Sequence, residues 1–267
     1  MMTTKTAVYR FDHALVRRPA KSVTQGLRAK DRGDPAYDGV ASEHDSYISA
    51  LQAAGVEVTV LPPLEEFPDS VFIEDPALVF PEGAIALRPG AQSRVGEVKT
   101  LAPLLCDEFE TLLDLPSPGF AEGGDILTTP KAVMIGLSSR TDIAGAKGLQ
   151  SCLSMLDRAG VIVETPPDVL HFKTDCSLLD EETILTTDRL ARSGVFKDFD
   201  AVVVPAGEEA AANALRVNDV VLIGVDFPRT AELLDKRGYE IVRLPTMEIG
   251  KIDAGLSCMS LRWRKGK

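Results

Sequence analysis

With 267 residues, 45% of them hydrophobic and 26% charged, the chain has the make-up of a globular protein long enough to bury a substantial core. A formal charge of −11 repels phosphate backbones and anionic lipid, which argues against nucleic acid or a membrane as partner and mildly favours a small cationic ligand. No cationic start followed by an apolar run opens the chain, no apolar stretch is long enough to span a bilayer, and Cys106, Cys152, Cys176 and Cys258 show no paired spacing, so the expectation is a soluble, cytoplasmic protein with free thiols.

In chain order, "SEHDSYISALQAAG" (42–55) predicts a helix capped by Ser42 and stopped at Gly55, and "VEVTVLPP" (56–63) alternates like a strand. "GAIALRP" (83–89) and "KAVMIGLS" (131–138) predict further strands, and "AKGLQSCLSMLDRAG" (146–160) a helix ending at Gly160. "ETILTT" (182–187) and "DVVLIGV" (219–225) read as strands, and "RTAELLDKRGY" (229–239) as a third helix. Strands and helices alternate along the whole length with no low-complexity linker to divide it, which makes the chain α/β, with one domain over 1–267 the expected organisation.

A longer regularity runs through the sequence. Polar clusters precede short apolar runs in "FPDSVFIEDPALVF", "GFAEGGDILTTP", "LHFKTDCSLL", "EEAAANALRV" and "IDAGLSCMSL", and the markers Asp75, Glu122, His171, Asn213 and Cys258 are separated by 47, 49, 42 and 45 residues. Such spacing suggests a degenerate supersecondary repeat used about five times, with the markers converging on a common axis. Ordinary α/β units recur at similar intervals, so spacing alone leaves both explanations open.

The chemical inventory narrows the function. Only His13, His44 and His171 occur, none in register with another histidine or with a cysteine pair, and neither a phosphate-binding GxxxxGK[ST] loop nor a GxGxxG fingerprint is present. "AEGGDI" lacks the alternating oxygen ligands of a calcium loop, and a tight turn explains its glycines as well. What remains is one cysteine between small residues, one histidine and several carboxylates, the parts of a thiol-nucleophile enzyme. Each has an ordinary alternative: Cys258 and His171 as packed core side chains, and Glu74 with Asp75 as an exposed strand end before Pro76. Two adjacent acids in an apolar run are nevertheless costly unless they meet a cation or a donor.

"PDSVFIEDPALV", "LRPGAQSR", "AEGGDI" followed by "GLSSRT", "LHFKT" and "KIDAGLSCMSL" resemble, in order and spacing, the dimethylarginine dimethylaminohydrolase family, especially its bacterial form, over about residues 9–263. The resemblance implies a five-bladed α/β propeller (pentein) of ββαβ-type modules in pseudo-fivefold arrangement. It implies Cys258 as nucleophile, His171 as general acid and base, and Glu122 as a guanidinium-binding carboxylate partnered by Asp75 and Glu74. Arg94 and Arg140 would hold the substrate carboxylate, Asp69 would receive the α-amino group, Phe72 would line the pocket, and Leu27 would sit in a lid formed by residues 17–35. The implied reaction converts methylated arginines to citrulline through a covalent thiouronium, with no metal or organic cofactor.

Arginine deiminases share the fold but carry an Asp two residues after the catalytic histidine, where this chain has Lys173. Losing that acceptor suits methyl groups, which cannot donate. A non-catalytic binder of cationic amino acids would need the pocket but not the Cys258–His171 pair. The sequence leaves the oligomeric state open, a homodimer included.

Overall fold

The computed structural model describes residues 7–167 and 169–265. The apolar runs become strands of five three-stranded sheets. In chain order these are β1 (His13–Arg17) and β2 (Glu57–Leu61), joined by α1 (Tyr37–Ala53), then β3 (Ala77–Phe80), β4 (Gly83–Ala86), α2 (Glu97–Glu108) and β5 (Leu112–Asp114). The third unit is β6 (Ile126–Thr128), β7 (Val133–Leu137), α3 (Ile143–Met155) and β8 (Gly160–Glu164), and the fourth is β9 (Cys176–Leu178), β10 (Thr183–Thr186), α4 (Asp188–Arg192) and β11 (Asp200–Val203). The fifth is β12 (Leu215–Val217), β13 (Val220–Gly224), α5 (Pro228–Lys236) and β14 (Glu240–Leu244), after which α6 (Met247–Gly250) leads to β15 (Leu261–Trp263).

Every blade has one plan. A short strand pairs antiparallel with the middle strand, and the middle strand pairs parallel with an outer one reached through the blade's helix. The parallel step needs a crossover, and the helix supplies it while covering the apolar face of the sheet. Among the described residues the first blade has no short strand of its own before β1. It is completed by β15, which sets Ala14 opposite Arg262 and closes the ring. The short strands pack side by side, β15 on β3 and β9 between β6 and β12. This is the pentein arrangement in five ββαβ-like units, and the repeat read from the five markers corresponds to it.

Helix boundaries differ from the sequence reading by up to five residues, most at the start of α1 and the end of α3. The helix predicted to start at Ser42 begins at Tyr37, because Val40 is buried in the core and Ala36 N–H donates to Glu248 at 2.7 Å, contacts that no local signal announces. The helix predicted to run to Gly160 ends at Met155. Asp157 takes the left-handed conformation (φ 54°), and Gly160 opens β8 instead. Asp142 caps that helix by accepting from Gly145 N–H at 2.7 Å.

Candidate active site

Short 3-10 turns precede the short strands and carry the marker residues to one end of the ring. Glu122 caps the turn Gly123–Asp125 ahead of β6, His171 caps Phe172–Thr174 ahead of β9, and Cys258 lies in Leu256–Met259 ahead of β15. Asp75 stands two positions before β3 and accepts from Gly124 N–H at 2.9 Å, which ties the second blade to the third. The two glycines of "AEGGD" make this approach possible. A β-carbon on Gly123 would lie 2.0 Å from the Glu74 carbonyl oxygen, and one on Gly124 would lie 2.8 Å from the imidazole Cγ of His171.

The side chains form a layered charge network. Nε2 of His171 meets Oε2 of Glu122 at 2.7 Å, and the other Glu122 oxygen accepts from Gly90 N–H (3.0 Å), Ala91 N–H (3.2 Å) and Arg140 Nη1 (3.3 Å). Asp125 holds the histidine turn in place, accepting from Phe172 N–H at 2.8 Å and from the Ser138 and Thr141 hydroxyls at 2.7 Å each. Arg94 pairs with Asp75, donates to both oxygens of Glu97 (2.9 and 2.8 Å) and to the carbonyls of Asp69 (3.1 Å) and Phe72 (2.9 Å). Glu74 turns the other way, to Lys173 Nζ at 2.5 Å and Arg262 Nη2 at 3.1 Å, while its backbone N–H donates to the Cys258 carbonyl at 3.2 Å. Asn213, the fourth marker, accepts from Ser257 N–H at 3.2 Å and so fixes the backbone beside the thiol.

These surroundings set the protonation states. Burial, reinforced by the charges of Glu74 and Asp75, pushes the Cys258 thiol up to about 11. Burial alone would lower His171, but the hydrogen bond its ring donates to Glu122 and the charges of Asp125 and Asp75 outweigh it and raise the imidazolium to about 9. Burial also works against an ionised Asp75, yet Arg94, then His171 and the Gly124 N–H, hold it below the usual carboxylate range. Asp69 is raised by burial. At neutral pH the site therefore holds a neutral thiol, an imidazolium and an ionised Asp75.

Leu27, Asp69, Phe72, Asp75, Arg94, Arg140, His171 and Cys258 line one cavity of about 40 Å³, together with Leu170, Ile252, Asp253 and Ala254. Glu122 and Glu74 stand behind its wall, against His171 and Lys173. The segment 17–35 closes over the cavity through Leu27 N–H, which donates to Asp69 at 2.9 Å, and through Asp253, which binds Ala29 N–H and Arg32. Asp253 was not singled out from the sequence, although it lies in the quoted "KIDAG" run. Asp75, Glu122 and His171 are the one group among the described residues whose ligand atoms gather within 4.8 Å as for a metal ion. Arg94 already neutralises Asp75 and Arg140 faces Glu122, so the set is satisfied as a charge network.

Comparison with known proteins places this geometry. The family model for eukaryotic N,N-dimethylarginine dimethylhydrolase matches residues 27–157. An N(G),N(G)-dimethylarginine dimethylaminohydrolase of Pseudomonas aeruginosa is 37% identical over 254 residues, covering 95% of this chain and 100% of its own. The chain belongs to the dimethylarginine dimethylaminohydrolase family. A Streptomyces coelicolor dimethylarginine dimethylaminohydrolase is 31% identical over 94% of this chain and 97% of its own. The solved structure of the Pseudomonas aeruginosa dimethylarginine dimethylaminohydrolase, a cysteine-to-serine mutant complexed with citrulline, superposes with a TM-score of 0.92 at 37% identity, covering 95% of this chain and 100% of that one. A cyanobacterial arginine dihydrolase domain at 18% identity and a TM-score of 0.84 shares the fold. Among the described residues no helix is long and apolar enough to cross a membrane.

Proposed function

We propose that this protein, as one catalytic unit, hydrolyses Nω-methylated arginines, asymmetric dimethylarginine and monomethylarginine, to citrulline and the corresponding methylamine. The observation that carries the reading is a half-buried thiol, Cys258, and a carboxylate-bound histidine, His171, on a single cavity walled by Asp75 and Asp69. The family membership and the citrulline-bound Pseudomonas aeruginosa structure support it.

The chemistry follows from the charges. Resonance makes the guanidinium carbon a poor electrophile, so fixing it beside the sulfur is the main contribution. With the thiol near 11 and the imidazolium near 9, the thiolate–imidazolium pair is only about 1% of the free enzyme at best, taking the two titrations as independent. A cationic substrate entering between Asp75 and the thiol lowers the thiol by adding the positive charge that the free site lacks. The thiol gives its proton to solvent, the thiolate sulfur bonds to the guanidinium carbon, and the C–N bond to the dimethylamine breaks as the imidazolium of His171 gives its proton to the leaving nitrogen. The S-alkylthiouronium remains on Cys258. Water, losing a proton to the now neutral His171, adds to the same carbon, the C–S bond breaks, and citrulline leaves with the thiol restored. Glu122 keeps the ring oriented and stabilises its charged form. Arg140 and Arg94, both on the cavity wall, hold the substrate carboxylate, Asp69 receives the α-amino group, Phe72 packs on the aliphatic stem, and Leu27 closes the lid.

Lys173 explains the preference for methylated nitrogens. Its ammonium is tied to Glu74 behind the wall, so this side of the pocket presents no acceptor that would require an N–H from the substrate. Incubation with arginine, monomethylarginine and asymmetric dimethylarginine in metal-free buffer, with citrulline as readout, tests the proposal. Turnover of the methylated substrates well above arginine is expected, and preference for arginine overturns it.

A further inference from the structure

A second cavity is far larger than the catalytic one. A space of about 670 Å³ runs along the axis of the ring, walled by β3, β6, β9, β12 and β15 and by residues 7–11, and it belongs to the size range of small-molecule sites. The backbone at two places divides it from the catalytic pocket. Asp75 and Cys258 face the small pocket, whereas their neighbours Glu74 and Ser257 face the axial cavity.

Its charge is the reverse of the protein's. The chain carries −11 overall, yet the wall includes Arg10, Arg158, Lys173, Arg216, Arg262, Arg264 and Lys265 against one carboxylate, Glu74. Glu74 is shared by Lys173 and Arg262, so one negative charge answers two buried cations. Arg10, Arg158 and Lys265 pair at the rim with Asp219, Glu82 and Glu108, none of which lines the cavity. Among the described residues no carboxylate pairs with Arg216 or Arg264. Arg216 donates to the Asn218 carbonyl at 2.8 Å and lies over the Tyr9 and Tyr239 rings. Polar groups of the same wall also lack partners among the described residues: Nε of Arg262, Nε1 of Trp263 and Oγ of Ser177 make no hydrogen bond to them. Clustered cations repel one another in a low-dielectric enclosure, and a multiply charged anion relieves that repulsion while supplying acceptors.

We propose that the axial cavity is a binding site for a small polyvalent oxyanion, a phosphate or a polycarboxylate, separate from the catalytic pocket. Forked guanidinium groups fit such oxygens two at a time. The site stands independently of the reaction proposed above.

Equilibrium dialysis of the whole chain with inorganic phosphate and with citrate, at constant ionic strength set by sodium chloride, tests the assignment. One saturable site is expected, and the arm with the tighter binding identifies the source of the oxyanion. Arg216→Gln removes an unpaired cation, and Thr128→Glu adds a carboxylate to the wall without touching the ion pairs. In whichever of these variants keeps the parent circular dichroism, affinity is expected to fall at least about tenfold, or about 1.4 kcal/mol. Alkylation of Cys258 is expected to leave binding unchanged. Absence of saturable binding by either anion, unchanged affinity in a folded variant, or loss of binding on Cys258 alkylation overturns the proposal.

Discussion

Replacing Glu74 by glutamine tests what holds the Cys258 thiol protonated. Burial is the first cause of the raised thiol and the charge of Glu74 the second, and the two residues are joined by the Glu74 N–H to Cys258 carbonyl bond of 3.2 Å. For a separation taken as on the order of 6 Å and an effective dielectric constant of about 20, a unit charge contributes at most about 2.8 kcal/mol, or about two pKa units. Lys173 and Arg262, left without their carboxylate, pull in the same direction. The thiol of Glu74→Gln is therefore expected to titrate near 9 instead of about 11. At pH 8 that raises the thiolate fraction about a hundredfold. Lower intrinsic nucleophilicity takes back about tenfold, which leaves alkylation by iodoacetamide about ten times faster. Peptide mapping by mass spectrometry separates Cys258 from the exposed Cys106. Removing one partner of a buried ion pair costs about 3–5 kcal/mol, so urea unfolding must accompany the assay. A folded variant whose alkylation profile stays in place or moves to higher pH refutes the electrostatic argument.

Cys258→Ser is expected to remain folded and bind substrate with turnover lost, whereas replacing Cys106, Cys152 or Cys176 by alanine keeps activity; acid-quenched mass spectrometry should find any adduct on Cys258 alone. Arg140→Ala is expected to raise KM more than it lowers kcat, and a large fall in kcat at unchanged KM would assign Arg140 to the orientation of Glu122, which it meets at 3.3 Å. His44 is buried with neither ring nitrogen hydrogen-bonded, and burial, helped by Arg18, lowers it to about 4. The folded state thus favours the neutral ring. Its contribution is whole above the ordinary value of 6.5 and drains away as the pH falls toward about 4, by about 3 kcal/mol. Urea unfolding between pH 7 and pH 4 measures the slope, which His44→Phe should flatten.

The strands legible in the sequence were β2 and the middle strands β4, β7, β10 and β13, whereas the outer strands β8, β11 and β14 went unread although they are four or five residues long. The short strands are three or four residues long, too brief for a period to register, and they left their trace only as the polar clusters ahead of them. β1 went unread because "HALVR" has no partner nearby, its antiparallel neighbour being the last strand of the fold. The candidate site residues were legible as motif members, but their supports were not. Glu97 under Arg94, Asp125 under the Phe172 N–H and Asp253 under the lid are ordinary acids in sequence, and only tertiary contact gives them work. Lys173 was singled out for the acid it replaces, while its bond to Glu74, 99 positions away in the chain, had no sequence signal.

The first blade joins distant parts of the chain: Lys265 N–H reaches Asp12 across 253 positions, and β15 carries the turn that presents Cys258. Contacts of such separation form late and slowly. During biosynthesis four blades can be complete while the thiol has neither its backbone clamp to Glu74 nor its carboxylate surroundings, so a half-assembled ring is chemically silent. Catalytic competence and topological closure arrive in one event, and the appearance of citrulline in a refolding mixture would time the last step of ring assembly.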